Sequence, residues 1–555
     1  HQQGVNLMGN LMQTGRFEMF PLANPNKPPL SPMTEMMTGK FENPGLQDTG
    51  RFRIPRDVTP EDLRTPIRQD RCGRVRMRAI REGFMTEKTQ EMLALMPQTP
   101  GVPRQELLVA ADGSGQFAAI AEALRAAPCS AIIRVRPGFY REALVIDRPV
   151  EIVADGPPGS VVVESDVAAC LLAYAQIAAV TGLAFRCTAG ARGVECFGVE
   201  VHSRLFLNQC DISSNSLACL AVYGPNADPV VRRCRIHHGE QSGVLVYKAA
   251  VGLFEECEFS DNTLCAVEVR DASDPSFRRC RISGGVTVFN RGRGTFEECD
   301  IFNSQLSGLQ VDSGADPVVR QCSIHHNKSA GVLVAGNGRG AFEECNIFAN
   351  ALSGVEVKGI GNPLVRRCAI REQEQGGLLV SQYGRGTFEE CDIAANALSG
   401  VEVKEGGDPV VRHCSIHEGQ GGGVMASNHG SGTFESCDIF SNTLAGVEIT
   451  QAADPLLRRC RIHHGRQGGV LVHSEGRGTL DECEIFGDAR LGVAVWENGD
   501  ALIRRSQIYE NHDAGVMLFQ GGAATVHDCQ LWGHTGKNLD VRQGCEMTQR
   551  AIVER

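Results

Sequence analysis

The chain has 555 residues, 42 % of them hydrophobic and 6 % aromatic, and a net charge of −11. That is enough apolar material for a large core but too few aromatics for an ordinary globular one, and the acidic balance excludes nucleic-acid binding by the chain as a whole. No apolar run reaches the roughly 18 residues of a membrane-spanning helix, and no zinc-type Cys-x-x-Cys spacing occurs.

Residues 1–104 are rich in Pro, Met, Asn and Gln and read as an extended, irregular arm carrying 15 Lys+Arg against 11 Asp+Glu. A phrase recurs in it as Thr14-Gly15-Arg16-Phe17, Thr38-Gly39-Lys40-Phe41 and Thr49-Gly50-Arg51-Phe52. Each copy offers one aromatic anchor and one charge, the form of a linear docking motif. The arginine run Arg64, Arg68, Arg71, Arg74, Arg76, Arg78 and Arg81 suits an acidic partner or the acidic remainder of the chain.

Residues 105–156 read as an N-terminal cap and first coil. Asp112-Gly113-Ser114-Gly115 is a turn, and Phe117, Ile120 and Leu124 lie on one face of a short capping helix. Ala131-Ile132-Ile133-Arg134-Val135, Leu144-Val145-Ile146 and Val150-Glu151-Ile152-Val153 are predicted strands.

Cysteines then stand at 299, 322, 345, 368, 391, 414, 437, 460 and 483, each 23 residues after the last. The register runs back through Cys280, Cys257, Cys234 and Cys210 to Cys187 and forward to Ser506 and Cys529. Only the steps from 280 to 299 (19 residues) and from 210 to 234 (24) depart from it. A fixed period in this range is the mark of a solenoid. Around the cysteines two spellings alternate, Phe342-Glu343-Glu344-Cys345-Asn346-Ile347 and Pro363-Leu364-Val365-Arg366-Arg367-Cys368-Ala369-Ile370. Three short β runs per circuit predict an all-β fold, a right-handed parallel β-helix over residues 157–530 with rungs of about 23 residues. Residues 531–555 leave the pattern and are expected to cap the far end. Asn five residues after the cysteine, at 215, 262, 327, 350, 396, 442 and 511, is expected to supply left-handed turn geometry. Most of the 22 cysteines fall at one equivalent position, a column of buried thiols that implies a reducing, cytoplasmic compartment.

In the Gly-Val-x-Val strand the valines face in and the middle residue faces out. Rung by rung these outward residues are Leu245, Glu268, Gln310, Leu333, Glu356, Leu379, Glu402, Met425, Glu448, Leu471, Ala494 and Met517. Apolar side chains on every second rung, about 9.6 Å apart, read as a protein-binding face or one covered by the arm. Glu343-Glu344 and its equivalents alternate with Arg366-Arg367 and its equivalents, an ion-pair ladder that fixes register. The recurrent His237-His238, His325-His326, His417 and His463-His464 read as surface turn histidines.

Carbohydrate-active β-helices need carboxylates converging over a groove at a local break. The acids here are spread evenly, and the one irregularity is the short rung over residues 284–293. The expectation is therefore a chain without catalytic residues, metal or cofactor.

The phrases Asn362-Pro363-Leu364-Val365-Arg366-Arg367 and Gly384-Arg385-Gly386-Thr387-Phe388-Glu389-Glu390, followed by Ala395-Asn396-Ala397-Leu398-Ser399-Gly400-Val401, resemble known β-helix repeats. These are the CASH-type, NosD-like repeats of the F-box-only ubiquitin-ligase adaptors and the spindle-associated SHC SH2-domain-binding proteins. Pro137-Gly138-Phe139-Tyr140-Arg141 is similar to the first coil of that group. The resemblance implies a rigid protein-binding rod over roughly residues 108–530. The expected function is a non-enzymatic scaffold whose arm anchors it in a larger protein complex, cytoskeletal or ciliary by analogy, without nucleic-acid or membrane partners. The alternatives are a carbohydrate-active or carbohydrate-binding β-helix facing uronate polymers, or the substrate-recognition module of a ubiquitin ligase or a secreted bacterial effector.

Overall fold

The computed structural model describes residues 104–554. The Thr-Gly-basic-Phe motifs and the arginine run lie outside the described residues. Each coil contributes three short strands, as in Thr387–Glu389, Asp392–Ala394 and Val401–Val403. Each strand pairs in parallel with its equivalents one coil away, so Phe388 lies between Val365 and Val411, and Glu402 between Leu379 and Met425. The result is a right-handed coil with three parallel sheets of 20, 19 and 18 strands, here sheets 1, 2 and 3 in the order in which a coil visits them. The 19-residue rung stays in register, with Arg281 opposite Asp300, because its four missing residues come from the corner between sheets 2 and 3. Gly284 and Gly285, both at positive φ, make that shortened corner.

Alternation along each strand decides what is inside. In sheet 1 the inward position is Phe in one coil and a smaller aliphatic residue in the next, and Phe342, Val365, Phe388, Val411 and Phe434 are all fully buried. Near the short rung three consecutive phenylalanines stack instead, Phe254 on Phe277 at 4.5 Å and Phe277 on Phe296 at 5.0 Å between centroids. The phrase from Phe342 to Ile347 spans two strands, Ala341–Glu343 and Asn346–Phe348, with a corner at Glu344 in left-handed geometry. The rung cysteine follows that corner and points inward. Cys391 donates its thiol to Glu389 O at 3.4 Å and to Val365 O of the preceding coil at 3.6 Å.

The asparagines work differently from expectation. Left-handed geometry falls one residue earlier, at His326, Ala349, Ala395, Ser441 and Glu510. The asparagine side chain turns inward and satisfies buried backbone: Asn350 Oδ1 accepts the Asn327 N–H at 3.2 Å, and Asn350 Nδ2 donates to Ile324 O at 3.3 Å.

The first coil is covered by the helix Ile120–Ala126, which buries Ile120, Ala123 and Leu124. Its amino end has no cap of its own, and Glu142 from the adjoining coil accepts the Ile120 and Ala121 N–H groups at 2.8 Å each. At the other end the coil continues where a separate tail was expected. Gln530–Trp532, Leu539–Val541, Glu546–Arg550 and Val553–Glu554 add strands in the same register.

Candidate functional site

The corner between sheets 3 and 1 carries two consecutive left-handed residues in coil after coil, such as Gln382 (φ 50°) and Tyr383 (φ 62°). The glycine that follows is pressed against the preceding coil, and a Cβ on Gly384 would lie 2.6 Å from Val357 O. With that residue turned in, the residues on either side of it turn out. Coil after coil this builds two outward columns, Arg291, Gly314, Asn337, Ile360, Tyr383 and Arg293, Asp316, Arg339, Asn362, Arg385. Together they line a groove of about 740 Å³ that opens on the short rung. Five coils give it a length of about 20 Å.

The groove is cationic. Arg291, Arg293, Arg339 and Arg385 are exposed, and none is ion-paired among the described residues; neither is Asp316, the one carboxylate in the lining. The contrast with sheet 1 is direct, since there Arg320 meets Glu343 at 2.8 Å and Arg412 meets Glu435 at 3.3 Å. Ile360 is 62 % exposed and Tyr383 72 %, each held at positive φ, and for β-branched Ile360 that is a strained backbone. The Tyr383 ring lies over the next coil, where a Cβ on Gly406 would sit 2.8 Å from it. Sequence periodicity missed this site because the cysteine register draws the eye to the repeat, while the groove depends on what fills the variable positions of one corner.

The outward column of sheet 3 is present as a stack, with Leu333 opposite Glu356 and Leu379 opposite Glu402. Its members are less accessible than expected. Leu245 is only 6 % exposed and Ala494 1 %, so neither offers a contact, and the remainder are half-buried. The short rung inserts Thr287 between Glu268 and Gln310. The acids are engaged within the coil or by the next one: Glu356 with Lys358 at 2.9 Å, Glu402 with Lys404 at 2.8 Å and Glu448 with His473 at 3.0 Å. At the carboxyl end Leu471, Ala494 and Met517 border a smaller cavity of about 260 Å³ with Trp496, Phe519 and Arg542.

The histidines are also placed differently. His237, His325, His417 and His463 lie on strands of sheet 2, where His325 stacks on Phe348 at 4.7 Å and His463 on Phe486 at 4.6 Å. Each meets an aspartate of the preceding coil, Asp300 at 2.8 Å from His325 and Asp438 at 3.0 Å from His463. Burial pulls the His463 pKa below its usual value, against the pull of Asp438. No group of three His, Cys, Asp or Glu side chains among the described residues is arranged to hold a metal. A ladder that irregular spacing hid runs through Tyr174, His202, Tyr223 and Tyr247, with neighbouring centroids 4.6, 5.1 and 5.0 Å apart.

The family model described as "Right handed beta helix region" matches in overlapping spans, residues 186–285, 219–359, 282–382, 307–455, 353–498 and 445–552. The chain belongs to the right-handed β-helix family. Among solved structures, this β-helix aligns with pectin methylesterase from carrot at 16 % identity and a TM-score of 0.29, covering 46 % of this chain and 85 % of that one. It aligns with the A-module of a mannuronan C-5 epimerase from Azotobacter vinelandii at 13 % identity and a TM-score of 0.29, covering 78 % and 93 %. Pectin methylesterase from Aspergillus niger aligns at 14 % identity and a TM-score of 0.20, covering 61 % and 86 %. At this distance the likeness is one of fold. These structures are enzymes by name, so an even, regular coil is no sign of a non-enzymatic protein-binding scaffold, and that expectation is corrected.

Proposed function

We propose that this β-helix is a carbohydrate-active protein that takes an acidic polysaccharide along the Arg291–Arg385 groove. One observation carries the reading: four arginines with no ion pair among the described residues line an open channel parallel to the coil axis, beside an exposed Tyr383 and a strained, exposed Ile360. Guanidinium groups fork onto carboxylates, and an exposed aromatic ring suits the apolar face of a sugar. A cationic channel inside an acidic chain favours a polyanion at this site and disfavours it elsewhere on the coil. Asp316 is the group in the lining placed to take or give a proton next to a neutralised carboxylate. The likeness of the repeat phrases to those of the F-box-only adaptors and SHC SH2-domain-binding proteins is, on this reading, one of coil construction and not of ligand.

The test is titration of the full chain with uronate oligosaccharides at low salt, followed by assay for altered sugar product. Arg339→Ala with Arg385→Ala is expected to weaken binding by about tenfold or more, a loss on the order of 1.4 kcal/mol or greater, and binding is expected to fall as salt rises. No binding at low salt to any acidic polysaccharide would remove the proposal.

A further inference from the structure

Taken coil by coil, the lining of the groove alternates. The first coil presents Arg291 and Arg293, and those of Arg339 and Arg385 one cation each, while the coils between them present Gly314 with Asp316 and Ile360 with Asn362, and no cation. Alternating charge along a β-helix is usually a neutralising ladder, as in sheet 1 of this protein, where Arg320 and Glu343 meet at 2.8 Å. In the groove that explanation fails, because Arg293, Asp316 and Arg339 are successive in one column and none is ion-paired among the described residues. Their charges face the channel and not one another.

Coils repeat every 4.8 Å or so, close to the length of one sugar in an extended polysaccharide, so each coil faces about one sugar. Building on the acidic-polysaccharide reading, we infer that the ligand carries a carboxylate on every second sugar, a uronate alternating with an uncharged sugar. Carboxylates then fall on Arg293, Arg339 and Arg385, about 9.6 Å apart. The intervening sugars offer hydroxyl groups to Asp316 and Asn362 and an apolar face to Ile360. A homopolymer of uronate would set a carboxylate against Asp316, a like-charge contact that costs affinity and selects against that class.

The experiment compares the full chain's affinity for an alternating uronate–neutral oligosaccharide with that for a homouronate oligosaccharide carrying the same number of carboxylates. The expected result is about tenfold or more in favour of the alternating ligand. The double variant Asp316→Arg, Asn362→Arg places a cation on every coil and is expected to shift the preference towards the homopolymer; both sites are exposed, and circular dichroism checks the fold. Equal or tighter homopolymer binding by the unaltered protein overturns the alternating register and leaves the acidic-polysaccharide reading standing. Binding of neither ligand overturns both.

Discussion

Asp488 occupies the position that asparagine holds at 442 and 511, and its surroundings suit an amide. Its Oδ1 accepts the Gly465 N–H at 2.8 Å, while Oδ2 is buried with no hydrogen-bond partner among the described residues. In the next coil the equivalent nitrogen of Asn511 donates to Ile485 O at 3.3 Å, a bond that a carboxylate oxygen can make only when it carries a proton. Burial accordingly pushes the Asp488 pKa up to about 8, against a pull from the Gly465 backbone. Between pH 4 and 8, roughly, the folded chain holds a proton at this site that the unfolded chain has lost, so stability falls as pH rises, by up to about 1.4 kcal/mol per pH unit from this group. Asp488→Asn restores the donor. Thermal melts are expected to show a higher midpoint for that variant at pH 8 and a flatter pH dependence, and an unchanged pH profile would show that Asp488 is not the group responsible. The aspartate is visible in the sequence, but its proton is not, because that depends on how closely the neighbouring coils shut out water.

At the scale of the element, the paired-charge ladder of sheet 1 is not uniform. Through most of its length the partners are half exposed, as in Arg367 and Glu344 at 2.9 Å. Near the carboxyl end it closes on one fully buried carboxylate, Asp481, which Arg504 meets at 3.0 Å and Arg458 at 3.6 Å, with Arg505 also bound. Burial alone would raise the Asp481 pKa, but Arg505 and Arg504 outweigh it and hold the group below the usual value. Asp481→Ala is therefore expected to cost about 3 kcal/mol, since it strips a common partner from a cluster of guanidiniums. Glu344→Ala should cost well under about 1 kcal/mol, as exposed pairs do. Denaturant unfolding of the two variants checks the ranking, and equal losses would refute it. The alternating Glu-Glu and Arg-Arg spellings made the ladder legible. Which rung carries the weight was not, because Asp481-Glu482 reads like any other acidic pair until the shorter side chain is seen drawn under its arginines.

Across the whole described coil, stability is a sum over nearest neighbours, so rungs outside the groove are interchangeable modules. Deleting residues 424–469, two full coils, joins Gly423 to Val470, which holds the register position of Val424. Such a chain is expected to keep its β-sheet circular dichroism and to bind groove ligand within about twofold of the intact protein. A deletion half a coil long should abolish both, because a strand displaced from its register turns its apolar face outward. The solenoid, the rung length, the inward valines and the charge ladder are legible in the amino-acid order alone, since each recurs at a fixed step and a periodic signal survives without knowledge of distant contacts. That order also marks the rung over residues 284–293 as the place where regularity breaks. The coiled arrangement sets the rest: the asparagines bond inward, the histidines stack in sheet 2, Leu245 is covered, and Arg291, Arg293, Arg339 and Arg385 share one channel with no ion pair among the described residues. The physical reason is that stacking brings residues 46 apart in the chain to within two strand spacings of each other, and whether charges so gathered pair or stay open is settled by corner geometry, which residue types alone do not encode.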